Sequence, residues 1–193
     1  MTESVFACFD VETTGLDYRI DRVIEIAVLR LSPDGNIEGE WSTLVNAGTN
    51  SLGRIDIHGI QPSWLETAPS FQEIAGDLAM ALSGCVPVAH NAPFDQNFLE
   101  LEWKRAGLGA MELLSLDTLE IARNHGLPGR LGSLAEALQV PSLNEHQALG
   151  DCQTLGKILS SFLKQGLDLP QIAPFSVPDL SPPASLKQTL RPV

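Results

Sequence analysis

Basic residues are scarce in this 193-residue chain: 12 Lys and Arg stand against 24 Asp and Glu, a formal charge of −12. Binding to polyphosphate is driven largely by cations on the protein, so this balance counts against a surface that coats long nucleic acid. Cysteine is scarce too. Three cysteines, an odd number without CxxC spacing, fit neither a disulfide framework nor a structural zinc site. Cys8, Cys85 and Cys152 lie in or beside apolar segments and read as buried, reduced thiols. No apolar run approaches the roughly 18–20 residues of a membrane span. The first residues, Met1 to Val5, lack the basic region and long apolar stretch of a signal peptide. A soluble, cytoplasmic protein with no membrane partner is the expectation. What is present is 44% apolar residues against 19% charged, enough to bury one ordinary core and to exclude disorder throughout.

Val5–Phe9 is a continuous apolar run ending at Asp10, the pattern of a strand buried on both faces. Val23–Leu31 and Ile37–Val45 flank Pro33, Asp34 and Gly35, which predicts an antiparallel hairpin. Ser70 with Glu73 forms a capping box that opens a helix to about Leu82. Cys85–Ala89 reads as a second buried strand, and Pro93 starts a helix that ends near Ala106, before Gly107. Leu113–Leu116 is a weaker strand, Ser133 and Glu136 repeat the capping-box spacing, and a last helix spans Gln147–Gln165. The order predicts an α/β protein: a central mixed β-sheet with an N-terminal antiparallel hairpin and flanking α-helices. From Pro170 onward six of 24 residues are proline, so residues 1–168 form the expected domain and 169–193 a mobile or extended C-terminal tail outside the core.

The chemistry concentrates in carboxylates. Asp10 and Glu12 are two apart at a strand end, so they share a face about 7 Å apart and can share a cation. Asp95 falls in the first turn of a helix, where the dipole favours an acid in any case. Asp151 lies in the last helix, five residues after His146, among apolar neighbours. Taken singly, each is also an ordinary strand-end, helix-start or surface residue.

Together the segments Phe9–Leu16, His90–Asp95 and His146–Asp151 resemble the three exonuclease motifs of the DEDDh family. This is the DnaQ-like group of 3′→5′ exonucleases on a ribonuclease H-like fold, which includes the proofreading subunit of bacterial replicative polymerase. The likeness runs over about residues 4–165, with further matches at Ile57–Ile60, Leu116–Leu119, Ala122–Arg123 and Ser133–Leu134. His-x4-Asp in place of Tyr-x3-Asp is what selects this branch. The resemblance implies a catalytic set of Asp10, Glu12, Asp95, His146 and Asp151, in which the four acids bind two divalent metal ions and His146 is the general base. Hard oxygen donors select Mg²⁺ or Mn²⁺, and an imidazole's near-neutral titration suits a base.

The same resemblance implies a pocket for the terminal nucleotide. Thr13 and Leu16 would meet the 3′ sugar and base, Asn91 and Phe94 would line the pocket, and His58 would face the terminal base. Leu16 and Phe94 could equally be core residues, and Asn91 a helix cap. The glutamate that meets the terminal 3′ hydroxyl in some relatives has no counterpart before His58; Asp56 is the candidate substitute. Lys104, Arg105, Arg123 and Arg130 form a weak, scattered set for backbone contact.

The expected activity is therefore metal-dependent 3′→5′ hydrolysis at single-stranded or frayed DNA 3′ ends, releasing nucleoside monophosphates. RNA 3′-end trimming and short-oligonucleotide degradation share the chemistry. A polymerase-associated proofreading or binding subunit is the alternative of another class, with a DNA polymerase or sliding clamp as partner. Gln188, Thr189 and Leu190 resemble a clamp peptide in part but lack its usual terminal aromatic or apolar residue. Discounting the four metal-binding acids brings the charge to −8, and bound cations would supply the positive field at the scissile phosphate.

Overall fold

The computed structural model describes residues 5–143 and 146–192. Residues 1–4, read above for targeting, lie outside the described residues. β1 (Phe6–Thr13) does not stop at its apolar run but continues through Asp10 and Glu12, which therefore sit in the strand itself. β2 (Val23–Leu31) and β3 (Ile37–Leu44) form the expected antiparallel meander with it. The stretch that follows carries two short helices, α1 (Ile55–His58) and α2 (Pro62–Leu65). α3 (Phe71–Leu82) opens on its capping box, the Ser70 N–H donating to Glu73 Oε2 at 2.8 Å. β4 (Val86–Ala89) then runs parallel to β1, and α4 (Ala92–Arg105) starts with Pro93 in its first turn.

Three details depart from the sequence reading. β5 (Leu116–Asp117) is shorter and later than expected, and α5 (Thr118–Asn124) follows it directly, capped by Asp117, which accepts from the Leu119 N–H. α6 (Leu131–Ala137) begins after Arg130, so Ser133 lies inside the helix and the capping-box reading there fails. α7 (Ala148–Lys164) is the last helix. Among the described residues, no helix is long and apolar enough to cross a membrane.

The sheet order is β3-β2-β1-β4-β5, which puts β1 at the centre. Strand alternation then divides its side chains. Ala7, Phe9 and Val11 pack with Phe71, Ile74, Leu78, Phe98 and Trp103 of α3 and α4. Phe6 and Cys8 face the other way and pack with Cys152, Leu155 and Leu159 of α7. Asp10 and Glu12 share the parity of Phe6 and Cys8, so they point to the side that carries Asp151. Gly156 makes this packing close: a Cβ there would sit 2.6 Å from Leu31 Cδ1.

Residues 170–192 contain neither helix nor strand, and one of them, Phe175, enters the core. Phe175 is buried among α3 and α4 residues, its N–H donating to Cys85 O at 2.7 Å and its carbonyl accepting from Gly84 N–H. Cys8, Cys85 and Cys152 are all buried and unpaired with each other, as read from their apolar settings.

Candidate active site

The Asp10 and Glu12 carboxylates lie beside that of Asp151 in α7, with one oxygen from each residue mutually within 4.8 Å. Asp10, His146 and Asp151 line one cavity of about 480 Å³ together with His90, Arg130 and Glu136. Asp95 approaches from α4. It is buried, and its Oδ1 accepts a hydrogen bond from the Val11 N–H at 3.1 Å, between the two strand acids. The structure thus brings the four acids and His146 into one neighbourhood.

Like charges at this density are costly. Burial first, then the Asp95, Asp151, Glu12 and Glu25 carboxylates, push Asp10 well above the ordinary carboxylate range. Glu12 is pushed up to about 8, chiefly by burial and then by Glu25 and Asp151, with Arg191 opposing. Asp95 is likewise pushed up to about 8 by burial, against the lowering effect of the Val11 and Asp95 N–H groups. An all-oxygen donor set under this repulsion fits a hard divalent cation, which would relieve the repulsion and restore the charged forms.

His146 is exposed and has φ of 63°, a conformation sparsely used by L residues. Its N–H donates to Asp151 Oδ2 at 3.0 Å, which links the histidine backbone to the acid five residues on. Asn91, at the start of α4, is also left-handed (φ 67°), and its N–H donates to Asp117 Oδ1. Its side chain makes no capping hydrogen bond, so the cap alternative does not describe it. Leu16 is 86% exposed, which removes the core alternative, and Ile20 near it is 77% exposed. Phe94 is half-buried against Phe98, ring centroids 4.9 Å apart. Thr13 Oγ donates to Gly15 O at 2.6 Å.

His58 is buried, its Nε2 meets Leu52 O at 2.9 Å and its Nδ1 accepts from the Ile60 N–H at 3.0 Å. Both ring nitrogens are thus used by the local backbone. Asp56 pairs with Arg54 on the exposed side of α1. Of the scattered cations, Arg130 lines the cavity, whereas Arg105 is spent on Glu102 and on the carbonyls of residues 18, 19 and 21.

Two residues of the site escaped sequence reasoning. Glu25 of β2 stands opposite Glu12 in the strand register, is buried, and accepts from the Ala148 N–H at the start of α7. Its signal was one acid inside the run VIEIAVLRL. Arg191 forms a two-pronged ion pair with that carboxylate, Nε–Oε1 and Nη2–Oε2 both 2.7 Å; nothing local in the sequence marks it.

Comparison with known proteins identifies the family. PolC-type DNA polymerase III of Streptococcus sanguinis is 31% identical over 172 residues, which is 85% of this chain and 11% of the polymerase. That of Caldanaerobacter subterraneus is 34% identical over 167 residues, 84% of this chain and 12% of the polymerase. The chain therefore spans about a ninth of the length of these relatives. Among solved structures, the nuclease domain of the DEDDh member 3′hExo bound to rAMP superposes with a TM-score of 0.75 at 17% identity, covering 88% of this chain and 98% of that one. Exonuclease X in complex with 5′ overhanging duplex DNA gives 0.65 at 24% identity, covering 91% and 98%. These likenesses establish the ribonuclease H-like fold. The family model RNase_T, described as Exonuclease, matches residues 7–159, a span that includes all five positions of the acid and histidine array. The chain accordingly belongs to this exonuclease family, the DnaQ-like group of 3′→5′ exonucleases.

Proposed function

We propose that this chain hydrolyses phosphodiester bonds stepwise from the 3′ end of single-stranded or frayed DNA. The observation that carries the reading is the approach of Asp10, Glu12 and Asp151 oxygens to within 4.8 Å of one another, beside a cavity that Asp10 and Asp151 line with His146. Asp10, Glu12 and Asp151, with Asp95 beside them, would hold two divalent ions, Mg²⁺ or Mn²⁺. Such ions supply a water nucleophile at neutral pH and stabilise charge on the attacking and leaving oxygens.

The chain's own groups do the rest. Asp95 fixes the backbone between the two strand acids through Val11. His146 takes the proton of the attacking water as general base. Its exposure and its tie to Asp151 through the main chain suit a group that reaches over the cavity rim. Arg130, on that rim, offers a cation to substrate phosphate. Leu16 presents its apolar side chain to solvent on the loop after β1, where it would stack on the terminal nucleotide, with Thr13, Asn91 and Phe94 completing that pocket.

DNA is the favoured substrate because the relatives at 31–34% identity are DNA polymerases. In them the matched segment is a small part of a far longer chain, which supports a place beside a polymerase. The test is a comparison of matched 5′-labelled single-stranded DNA, duplex DNA and RNA with Mg²⁺ or Mn²⁺. A ladder shortening from the 3′ end, fastest on single-stranded DNA, is expected. Internal cuts would overturn the reading, and a faster RNA ladder would overturn its substrate.

A further inference from the structure

The segment from 175 to 191 runs as a strap from the end of α3 to the end of β3. Asp77 of α3 accepts three hydrogen bonds from it, from Ser185 N–H at 2.9 Å, Ser185 Oγ at 2.8 Å and Leu186 N–H at 2.9 Å. Lys187 pairs with Glu73. Thr189 then joins the end of β3: its carbonyl accepts from Leu44 N–H at 2.7 Å and its N–H donates to Thr43 Oγ at 3.0 Å. Beneath the strap, Gly76 leaves no room for a side chain, since a Cβ would lie 2.4 Å from the carbonyl oxygens of Pro182 and Pro183.

The strap delivers Arg191 to the site. Its guanidinium holds Glu25, donates to His58 O at the end of α1, and donates to His146 O at 3.2 Å. One planar cation thereby joins β2, α1 and the loop entering α7, a geometry that a lysine ammonium cannot reproduce. The left-handed His146 is gripped at both ends of its backbone, by Asp151 through its N–H and by Arg191 through its carbonyl. Glu25 repeats the link, because the oxygen that pairs with Arg191 also accepts from the Ala148 N–H.

We propose that Arg191 is a positioning residue for hydrolysis, fixing the His146 loop against the sheet, and that residues 175–191 are the strap that holds Arg191 in place. The inference rests on the proposed 3′-end hydrolysis, and its test separates the two. Wild type, Arg191→Ala, Arg191→Lys and Gly76→Ala are compared as full chains. Gly76→Ala favours the helix but pushes the strap away at Pro182 and Pro183.

Displacing a catalytic group by an ångström costs up to about 100-fold in rate. Arg191→Ala is expected to lower kcat at least about tenfold with KM changed less than about threefold. Methylguanidinium should restore part of the loss, Arg191→Lys should remain well below wild type, and Gly76→Ala should lower kcat in the same sense. Without substrate, amide exchange across residues 146–150 should quicken in Arg191→Ala. An unchanged or raised kcat in Arg191→Ala overturns the proposal. So does a loss that methylguanidinium does not relieve and that comes with unaltered exchange. If wild type does not shorten 3′ ends, the functional reading falls, while the exchange measurement still decides whether Arg191 holds the loop.

Discussion

The buried Asp95 carboxylate accepts the N–H of Val11, so an acid from α4 holds the one residue that separates Asp10 from Glu12. Asp95→Asn keeps an acceptor for Val11, whereas Asp95→Ala leaves that N–H without it, at a cost of about 1–3 kcal/mol. Asn should therefore melt at or above the wild-type temperature in metal-free buffer, and Ala below Asn. Both should lose hydrolysis by about 100-fold. Identical melting of the two variants would refute the anchoring role.

Stability and metal should be linked through pH in a definite direction. Glu12 and Asp95, raised to about 8, bind protons in the folded protein that the unfolded chain has already released. Folded stability of the metal-free protein should thus fall as pH rises from about 4.5 towards 8, and level off above. A divalent cation favours the charged carboxylates, so Mg²⁺ or Mn²⁺ should raise the melting temperature more at pH 8 than at pH 5.5. Melting curves with EDTA and with metal check this, and equal metal-induced shifts at both pH values would contradict it.

Replacement of His146 is best made with Asn, which tolerates the positive φ of 63°. Loss of a general base should lower kcat by about 100-fold or more while KM changes little. An unchanged turnover number in steady-state kinetics would exclude the histidine as base.

Glu102 is buried and shared by Arg22 and Arg105, with contacts of 2.6 and 3.0 Å. These arginines also hold Ala47 O and the carbonyls of residues 18, 19 and 21, the loop that leads from β1 to β2. Glu102→Ala should destabilise the fold by about 3 kcal/mol, measured by urea denaturation. A stability within error of wild type would show that the network is surface decoration.

Much of this was legible in the sequence because local rules and global packing agree. The apolar run before Asp10, the Pro-Asp-Gly turn and the Ser70–Glu73 box each specify their element without help from distant contacts. Asp10, Glu12, Asp95, His146 and Asp151 stand out as an ordered set through the resemblance of their segments to the three exonuclease motifs. α5 was missed because seven residues capped by Asp117 carry too little periodicity to stand out. His58 was placed in the nucleotide pocket by resemblance alone, and nothing in the local sequence marks that its ring nitrogens meet Leu52 O and the Ile60 N–H. Arg191 was invisible for another reason: its partner Glu25 lies 166 residues away, and proline content masked a segment held by scattered main-chain and side-chain hydrogen bonds.

Phe175 has a consequence for where this molecule can be cut. The exonuclease family model matches residues 7–159, yet Phe175, sixteen residues later, is buried in the same core cluster as residues of α3 and α4. The stretch that carries the acids is therefore shorter than the stretch that fills the core. A recombinant fragment trimmed at residue 168 would keep every acid and still open a hole the size of an aromatic ring, so loss of activity in such a fragment would report on folding before it reported on catalysis.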